Sequence, residues 1–223
     1  MNIAAILAGG KGLRMGGSVP KQFLEVGGVP IIVHTINKFQ NHSEIDEICV
    51  ICPVEHCEYM WELVENYKLT KVKSVIPGGK DRQESSYVAT EAMYFKHGPE
   101  GILLIHDGAR PNVDDRIISE NIEKASNTGA CNTVIPSQDT ILISKDGKMV
   151  YEYTQRSEMY LVQTPQSFKL KVIYDAHVES VGKPGITDDC SLVHLCGGEV
   201  ALVTGSKANV KVTTPEDLQW VKG

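Results

Sequence analysis

The residues best suited to chemistry lie near the N-terminus, where a short apolar run leads into a glycine-rich loop. The apolar run is Ile3–Leu7, and the loop that follows, Ala8–Gly17, contains five glycines. Small residues after a strand let backbone N–H groups approach a phosphate closely. Arg14 and Lys21 supply fixed positive charge suited to a triphosphate. The pattern predicts a phosphate-binding loop; a glycine-rich turn with solvated basic residues is the alternative.

Two familiar phosphate-binding motifs are not found in this loop. A dinucleotide fingerprint requires a third glycine where Met15 stands, three residues after Gly12. A Walker loop requires Gly-Lys-Ser or Gly-Lys-Thr after four spacer residues, and the loop has neither. The sequence therefore argues against an NAD-dependent reductase and against a P-loop NTPase.

Short β-type runs alternate with amphipathic helical patterns, and these elements must position the loop. The predicted strands are Ile3–Leu7, Glu47–Cys52, Val72–Ile76, Gly101–Ile105 and Cys131–Ile135. The predicted helices are Ile31–Phe39, His56–Tyr67, Glu84–Phe95 and Asp115–Ala125. This alternation predicts an α/β fold with a mostly parallel sheet covered on both faces. Active sites of such sheets lie beyond the carboxyl ends of the strands, which points to Ala8–Lys21, Pro77–Ser86 and His106–Pro111.

A hairpin pattern interrupts the α/β rhythm after residue 135. Asp139–Ser144 and Met149–Thr154 read as two strands around an Asp-Gly turn. A two-stranded ribbon is marginally stable alone and gains by packing on a second subunit. We therefore expect a single domain over residues 1–223, with residues 139–158 forming a projecting arm for dimerisation.

Composition limits the classes of partner. The chain has 223 residues and a net charge of −6, which argues against a general nucleic-acid binder. No stretch approaches the ~20 apolar residues of a membrane span, and the N-terminus lacks a basic start. We expect a cytoplasmic protein that binds neither nucleic acid nor membranes. The six cysteines are predicted to be free thiols, and Cys49, Cys52, His56 and Cys57 to be packing residues rather than zinc ligands.

Motifs along nearly the whole chain resemble those of the cytidylyltransferases that act on 2-C-methyl-D-erythritol 4-phosphate or ribitol 5-phosphate. In family order, the matching segments are Leu7–Gly16, Pro20–Leu24, Gly78–Ser85, His106–Pro111, Arg156, Gln163–Gln166, Thr187–Asp188, Asn209–Thr213 and Pro215–Leu218. The resemblance implies a Rossmann-like twisted sheet with helices on both faces and a homodimer built around the arm. It also implies Mg²⁺-dependent transfer of CMP from CTP to a small polyol phosphate.

The same resemblance implies roles for individual residues. The catalytic cations would be Arg14, Lys21 and Lys211. The nucleotide would be bordered by Ala8, Gly9, Gly10, Gly12, Gly78 and Ser85. The polyol phosphate would contact Asp107, Arg110, Thr164, Thr187 and, from the partner's arm, Arg156. Asp107 is the candidate for a metal contact or for accepting a substrate hydroxyl, whereas His106 is expected to be structural.

Plainer structural roles remain open for several of these residues. Asp107 would otherwise cap local N–H groups, and Thr187 would cap a helix that begins with two acidic residues. Lys211 would be a solvated strand lysine, and Arg156 would brace the arm.

The acceptor and the reaction class also have alternatives. The Leu-Ala-Gly-Gly loop and Gln163 favour ribitol 5-phosphate, whereas His106–Pro111 is nearer the methylerythritol form. The pathway, isoprenoid precursor or teichoic-acid polymer, follows the acceptor. The alternative functions are a nucleotidyltransferase using another nucleotide or sugar phosphate, and a non-catalytic nucleotide-binding protein.

Overall fold

A computed structural model describes residues 1–9, 20–180 and 186–221, and it places them around a seven-stranded sheet. The strands are β1 (Asn2–Leu7), β2 (Glu25–Val26), β3 (Val29–Pro30), β4 (Glu47–Cys52), β5 (Val72–Pro77), β6 (Ile102–Asp107), β7 (Ala130–Pro136), β8 (Leu142–Ile143), β9 (Glu152–Tyr153), β10 (Tyr160–Lys169) and β11 (Ala201–Thr204). The α-helices are α1 (Ile31–Gln40), α2 (Cys57–Asn66), α3 (Arg82–His97), α4 (Asp115–Thr128), α5 (Leu170–Glu179) and α6 (Asp189–Leu195). Short 3₁₀ helices span Lys21–Phe23, Val54–His56, Arg156–Glu158 and Pro215–Trp220.

The main sheet has the order β11-β7-β10-β6-β1-β4-β5 and is parallel except for one strand. β10 runs antiparallel to both of its neighbours, β6 and β7. The predicted α/β fold with a mostly parallel sheet is therefore confirmed. The sequence pattern did not predict β10, because Gln163, Thr164, Pro165 and Gln166 interrupt any apolar run within it.

The two faces of the sheet carry separate apolar cores. On one face, β1 directs Ala4 and Ile6 toward α1, α2 and α4; on the other, Ile3 and Ala5 face α3, α5 and α6. These β1 side chains are fully buried. Burial of each large aliphatic side chain contributes about 1.5–3 kcal/mol, which holds β1 and the loops at its end in place.

Helix starts and exposed faces follow local chemistry. Helix α3 begins at Arg82, earlier than predicted, because the Asp81 carboxylate accepts a hydrogen bond from the Glu84 N–H at 2.9 Å. The helical spacing of Met60, Trp61, Leu63 and Val64 predicts that all four belong to the core of α2. Met60, Leu63 and Val64 are buried, but the prediction for Trp61 is wrong. Its side chain is 39% exposed, because it lies one position off the buried stripe of the helix.

The predicted hairpin is present as a short antiparallel pair in which Leu142 faces Tyr153. At its turn the Asp146 carboxylate accepts hydrogen bonds from the N–H groups of Lys148 and Met149. Gly147 has a φ of +69°, which suits glycine. Its role as a projecting arm for dimerisation stays a prediction, as does the single-domain assignment.

Two further expectations concern the cysteines and the helices. All six cysteines are free thiols, and Cys49 and Cys52 are buried within β4. Across residues 1–9, 20–180 and 186–221, none of the helices is both long enough and apolar enough to cross a bilayer.

Candidate active site

A cleft opens at the carboxyl edge of the sheet, beyond the ends of β1, β5 and β6. Its lining consists of Leu7, Ala8, Gly9, Lys21, Gln22, Gly79, Lys80, Asp81, Arg82, Ser85, Asp107, Ala109 and Lys211. The three loops predicted to converge therefore do so, because parallel strands end at the same edge. Six residues singled out from the sequence lie in this lining: Ala8, Gly9, Lys21, Ser85, Asp107 and Lys211.

Glycines and one serine form a wall of the cleft without projecting side chains. The Ser85 hydroxyl accepts a hydrogen bond from the Gly79 N–H at 3.1 Å and donates one to the Asp81 carbonyl at 2.8 Å. A Cβ atom on Gly78 would lie 2.9 Å from the Ser85 Oγ and 3.1 Å from a methyl group of Ile51. Gly78 therefore packs closely behind Ser85, whereas Gly9 and Gly79 line the cleft and border it with backbone. Contact of Gly78 with the nucleotide stays a prediction.

Lys21 reaches the cleft from a 3₁₀ turn that is tied to the end of β1. The buried side chain of Gln22 donates a hydrogen bond to the Ala8 carbonyl at 2.7 Å. The Lys21 Nζ donates to the Val212 carbonyl at 3.0 Å. Lys21 thus contacts the residue after Lys211, although 190 positions separate the two lysines in the chain. The structure brings the two predicted cations to the same cleft.

Asp107, the last residue of β6, is surrounded by three cationic side chains. Its Oδ2 lies 2.9 Å from the Lys211 Nζ and 3.3 Å from the Arg110 Nε, and its Oδ1 lies 3.7 Å from the Arg82 Nε. Burial alone would raise the pKa of Asp107. The attraction of Lys211, followed by that of the two arginines, outweighs burial and holds this pKa well below its usual range. The carboxylate is therefore ionised at any pH near neutral.

The segment that carries Lys211 is irregular rather than the alternating strand that its sequence resembles. The Val212 N–H donates to the Ala109 carbonyl at 2.8 Å. The Arg110 guanidinium donates to the Asn209 carbonyl at 2.9 Å. Both contacts join this segment to the loop after β6, so the Lys211 amine is fixed beside Asp107 by the fold. The reading of Lys211 as a solvated strand lysine is wrong.

Thr164 and His106 form a buried support behind Asp107. The Thr164 Oγ1 accepts a hydrogen bond from the Asp107 N–H at 3.0 Å and lies 3.0 Å from the His106 Nδ1. The His106 Nε2 lies 3.0 Å from the Arg110 carbonyl, so it carries the proton and Nδ1 accepts from Thr164. Burial lowers the pKa of His106 to about 4. The Asn209 side chain completes the support by donating to the Thr164 carbonyl at 2.9 Å.

This support bears on two predictions from the sequence. The hydroxyl of Thr164 is engaged with two groups of the protein, so its contact with a polyol phosphate stays a prediction. His106 is completely buried and both of its ring nitrogens are paired within the protein, which agrees with the structural role expected for it.

Arg82 is the site residue that sequence reasoning missed. Its Nη1 lies 2.8 Å from Oδ2 of the buried Asp189, and its Nε faces Asp107. The signal was available, because Arg82 stands between Gly78 and Ser85 in the matching segment. The resemblance implies contacts for Gly78 and Ser85 in that segment and none for Arg82.

The start of α6 differs from the expectation for Thr187. The N-cap is Asp188, whose carboxylate accepts from the Ser191 N–H at 2.6 Å, whereas Thr187 is exposed. The prediction that Thr187 caps this helix is wrong, because the Asp188 side chain is the one directed at the first turn. Contact of Thr187 with a phosphate remains a prediction.

Other predicted residues lie elsewhere. Gly10, Gly12 and Arg14 lie outside the described residues. Arg156 is exposed in the 3₁₀ helix after the hairpin. It does not line the cleft formed by the described part of this single chain.

The chain is similar to known proteins along its whole length. A sequence model of the family IspD, 2-C-methyl-D-erythritol 4-phosphate cytidylyltransferase, matches residues 2–222. A ribitol-5-phosphate cytidylyltransferase of Streptococcus agalactiae serotype V is 39% identical over 226 residues, covering 100% of this chain and 94% of that protein.

Solved structures give the same result. The 4-diphosphocytidyl-2C-methyl-D-erythritol synthase of Anaerococcus prevotii has a TM-score of 0.84 at 28% identity, covering 99% of this chain and 93% of that one. The 2-C-methyl-D-erythritol 4-phosphate cytidylyltransferase of Thermus thermophilus has a TM-score of 0.77 at 29% identity, covering 97% and 95%.

Proposed function

Because the chain belongs to the IspD family of 2-C-methyl-D-erythritol 4-phosphate cytidylyltransferases, we propose that its cleft carries out the family's reaction with ribitol 5-phosphate as the acceptor. The enzyme transfers CMP from CTP to a polyol phosphate and releases pyrophosphate. The observation that carries the assignment of the site is the convergence of Lys21, Lys211 and Arg82 beside a side-chain-free glycine wall.

The reaction requires two anions to meet. A phosphate monoester oxygen attacks the α-phosphorus of CTP, a new P–O bond forms, and the bond to the bridging oxygen of pyrophosphate breaks. The acceptor phosphate is already nucleophilic, so no protein base is required. Positioning and charge stabilisation carry most of the catalysis in phosphoryl transfer, and cationic side chains supply both.

Lys21 and Lys211 have the clearest geometry for that work. Both amines reach the cleft from segments that other side chains and backbone bonds hold in place. Preorganised donors need no rearrangement as charge develops on the transferring group. Arg14 is proposed as a third member of this clamp on its resemblance to the family alone.

Asp107 is proposed to accept a hydrogen bond from a hydroxyl of the polyol. Asp107 lines the cleft, and three cations face its carboxylate. Arg110 and Thr187 are proposed to contribute to the same acceptor side. A hydroxyl donor adds a short hydrogen bond to an ionised carboxylate, which is a strong interaction.

Magnesium is proposed to enter with CTP, bound to the phosphates of the nucleotide, where it would neutralise their charge. The protein residues do not fit a protein-held ion, since the Asp107 oxygens already face Lys211, Arg110 and Arg82. No group of three His, Cys, Asp or Glu side chains suited to a metal occurs among the described residues. Of the two roles expected for Asp107, we therefore favour the substrate hydroxyl over the metal.

Ribitol 5-phosphate is favoured as the acceptor by two observations. The relative named for that substrate shares 39% of its residues with the chain, whereas the solved methylerythritol enzymes named above share 28% and 29%. The Leu7–Gly10 segment also resembles the ribitol-phosphate branch. A cell-wall polymer pathway would follow from this acceptor.

A homodimer is proposed from the apolar surface of the hairpin and the adjoining end of β10. The exposed large apolar side chains there are Leu142, Ile143, Met149, Val150, Tyr151, Tyr153, Tyr160, Leu161 and Val162. Large contiguous apolar patches mark interaction surfaces. A second copy covering this surface would also bring its Arg156 toward the cleft, as the family resemblance implies.

The test is a pyrophosphate-release assay with each of the four nucleoside triphosphates, with ribitol 5-phosphate or 2-C-methyl-D-erythritol 4-phosphate as acceptor. We expect turnover with CTP and ribitol 5-phosphate and a much lower kcat/KM with the other acceptor. Preference for another nucleotide would assign a different nucleotidyltransferase activity. Nucleotide binding without release under any acceptor would indicate a non-catalytic protein.

A further inference from the structure

Arg82 lies between two carboxylates that belong to different parts of the fold. Its Nη1 is 2.8 Å from Oδ2 of Asp189, at the start of α6, and its Nε is 3.7 Å from Oδ1 of Asp107, at the end of β6. Asp189 is 2% exposed and does not line the cleft, whereas Asp107 and Arg82 do. The guanidinium is therefore held from behind by one acid while it faces another.

Asp189 is itself fixed by the centre of the sheet. The side chain of Gln166, fully buried in β10, accepts a hydrogen bond from the Asp189 N–H at 3.0 Å. The same side chain donates to the Asp188 carboxylate at 2.7 Å and to the Asn132 side chain at 3.1 Å. These bonds fix the backbone at Asp189, so its buried carboxylate meets Arg82 from a fixed point of the fold.

We propose that Asp189 is a positioning residue that holds the Arg82 guanidinium away from Asp107 and so leaves the Asp107 carboxylate available to the polyol acceptor. This inference rests on the proposed function and adds a residue to it. The observation that supports the inference is a difference between two distances. The Arg82 guanidinium lies 0.9 Å closer to the Asp189 carboxylate than to the Asp107 carboxylate. Burial would lower the pKa of Arg82, but attraction to Asp189 first and Asp107 second raises it.

Removing the Asp189 charge should weaken binding of the acceptor. Arg82 would retain one anionic partner and would shift onto Asp107, which already pairs with Lys211 and Arg110. The acceptor hydroxyl would then compete with a closer guanidinium. A purely electrostatic role predicts the opposite, because a more positive cleft attracts both anionic substrates more strongly.

The experiment compares Asp189→Asn with the wild type by steady-state kinetics in both substrates. We expect KM for ribitol 5-phosphate to rise about tenfold, the scale of one hydrogen bond to a charged group, with KM for CTP within about twofold. Asp175→Asn is the control, because it removes one negative charge at a partly exposed position of α5 that pairs with Lys171 and not with Arg82 or Gln166. It should leave the KM for the acceptor near the wild-type value.

A double-mutant cycle tests whether Asp189 acts through Arg82. In an Arg82→Ala background, Asp189→Asn should change the acceptor KM by less than about twofold. Asp189→Glu keeps the charge and should restore part of the affinity for the acceptor. This variant keeps the test decisive if Asp189→Asn folds poorly.

Three results would overturn the inference. They are additive effects in the cycle, a fall in both KM values, and an acceptor KM that is unchanged in a folded Asp189→Asn protein. Absence of turnover in the wild type would instead refute the proposed function, so the two failures are distinguishable.

Discussion

The side-chain amine of Lys211 lies 2.9 Å from Oδ2 of Asp107, the last residue of β6, although 103 residues separate the two in the chain. The pair joins a cation proposed to act on phosphate with an anion proposed to act on the polyol. Lys211 stabilises the ionised form of Asp107 in a partly buried cleft. A substrate that carries both phosphate and hydroxyls can replace this internal pairing with contacts to both ends.

Asp107→Asn should therefore affect the acceptor more than the nucleotide. We expect kcat/KM for the polyol phosphate to fall by about tenfold to a hundredfold, from the loss of a charge-assisted hydrogen bond. The KM for CTP should stay within about twofold. Steady-state kinetics at several Mg²⁺ concentrations provide the check. A shift in the Mg²⁺ requirement, with acceptor KM unchanged, would support the metal-ligand role instead.

Lys21→Ala should lower kcat by about a hundredfold or more, if one preorganised donor at the developing charge has its usual effect. The hydrogen bond from Lys21 to the Val212 carbonyl is also lost, so circular dichroism must show a folded protein. Lys171→Ala is the matched control, because Lys171 is exposed on α5 and pairs only locally with Asp175. Normal turnover in folded Lys21→Ala protein would refute the clamp.

Stability should fall as the pH drops from about 6.5 to about 4. Burial lowers the pKa of His106 from 6.5 to about 4, so in this window the unfolded chain binds a proton that the folded chain excludes. The difference corresponds to a loss of about 3 kcal/mol in the free energy of unfolding by pH 4. Burial also lowers the pKa of His177, which adds to the loss in the same direction.

Urea denaturation across this pH range measures the effect. His106→Gln should reduce the slope of unfolding free energy against pH, whatever its effect on stability at neutral pH. A variant with the full wild-type slope would show that His106 is not the source.

Activity should fall on dilution if the hairpin forms a dimer whose partner supplies Arg156. Specific activity would then fall as the enzyme is diluted, in parallel with the fraction of dimer measured by sedimentation velocity. Tyr153→Asp, which places a charge on the exposed apolar surface of β9, should weaken the dimer and move both curves to higher concentration. Specific activity that remains constant while the dimer dissociates would remove Arg156 from the site.

Periodicity was sufficient to predict five of the six parallel strands of the main sheet, and it missed the short edge strand β11. The runs at β1 and β4 are continuously apolar because both faces of the sheet are covered. β10 carries no such signal. Its central polar residues are buried and satisfied by tertiary contacts, such as those of Gln166 with Asp188, which a local pattern cannot reveal.

The site residues also divide into those predicted by local sequence and those placed by long-range contacts. Lys21 and Asp107 were identified because they lie in loops that follow predicted strands, and such loops form the active-site edge of a parallel sheet. Arg82 acquires its role from Asp189, a residue 107 positions later in the chain. The position of Lys211 depends on backbone bonds to the loop after β6. Long-range partners of this kind become visible only in the folded chain.

The most direct test of the account is to follow the phosphorus atoms by ³¹P NMR in a mixture of the enzyme, CTP, Mg²⁺ and ribitol 5-phosphate. We expect the phosphate monoester signal to disappear while diphosphate diester and pyrophosphate signals appear in equal amounts. Release of pyrophosphate together with free CMP, or persistence of the monoester signal, would contradict it.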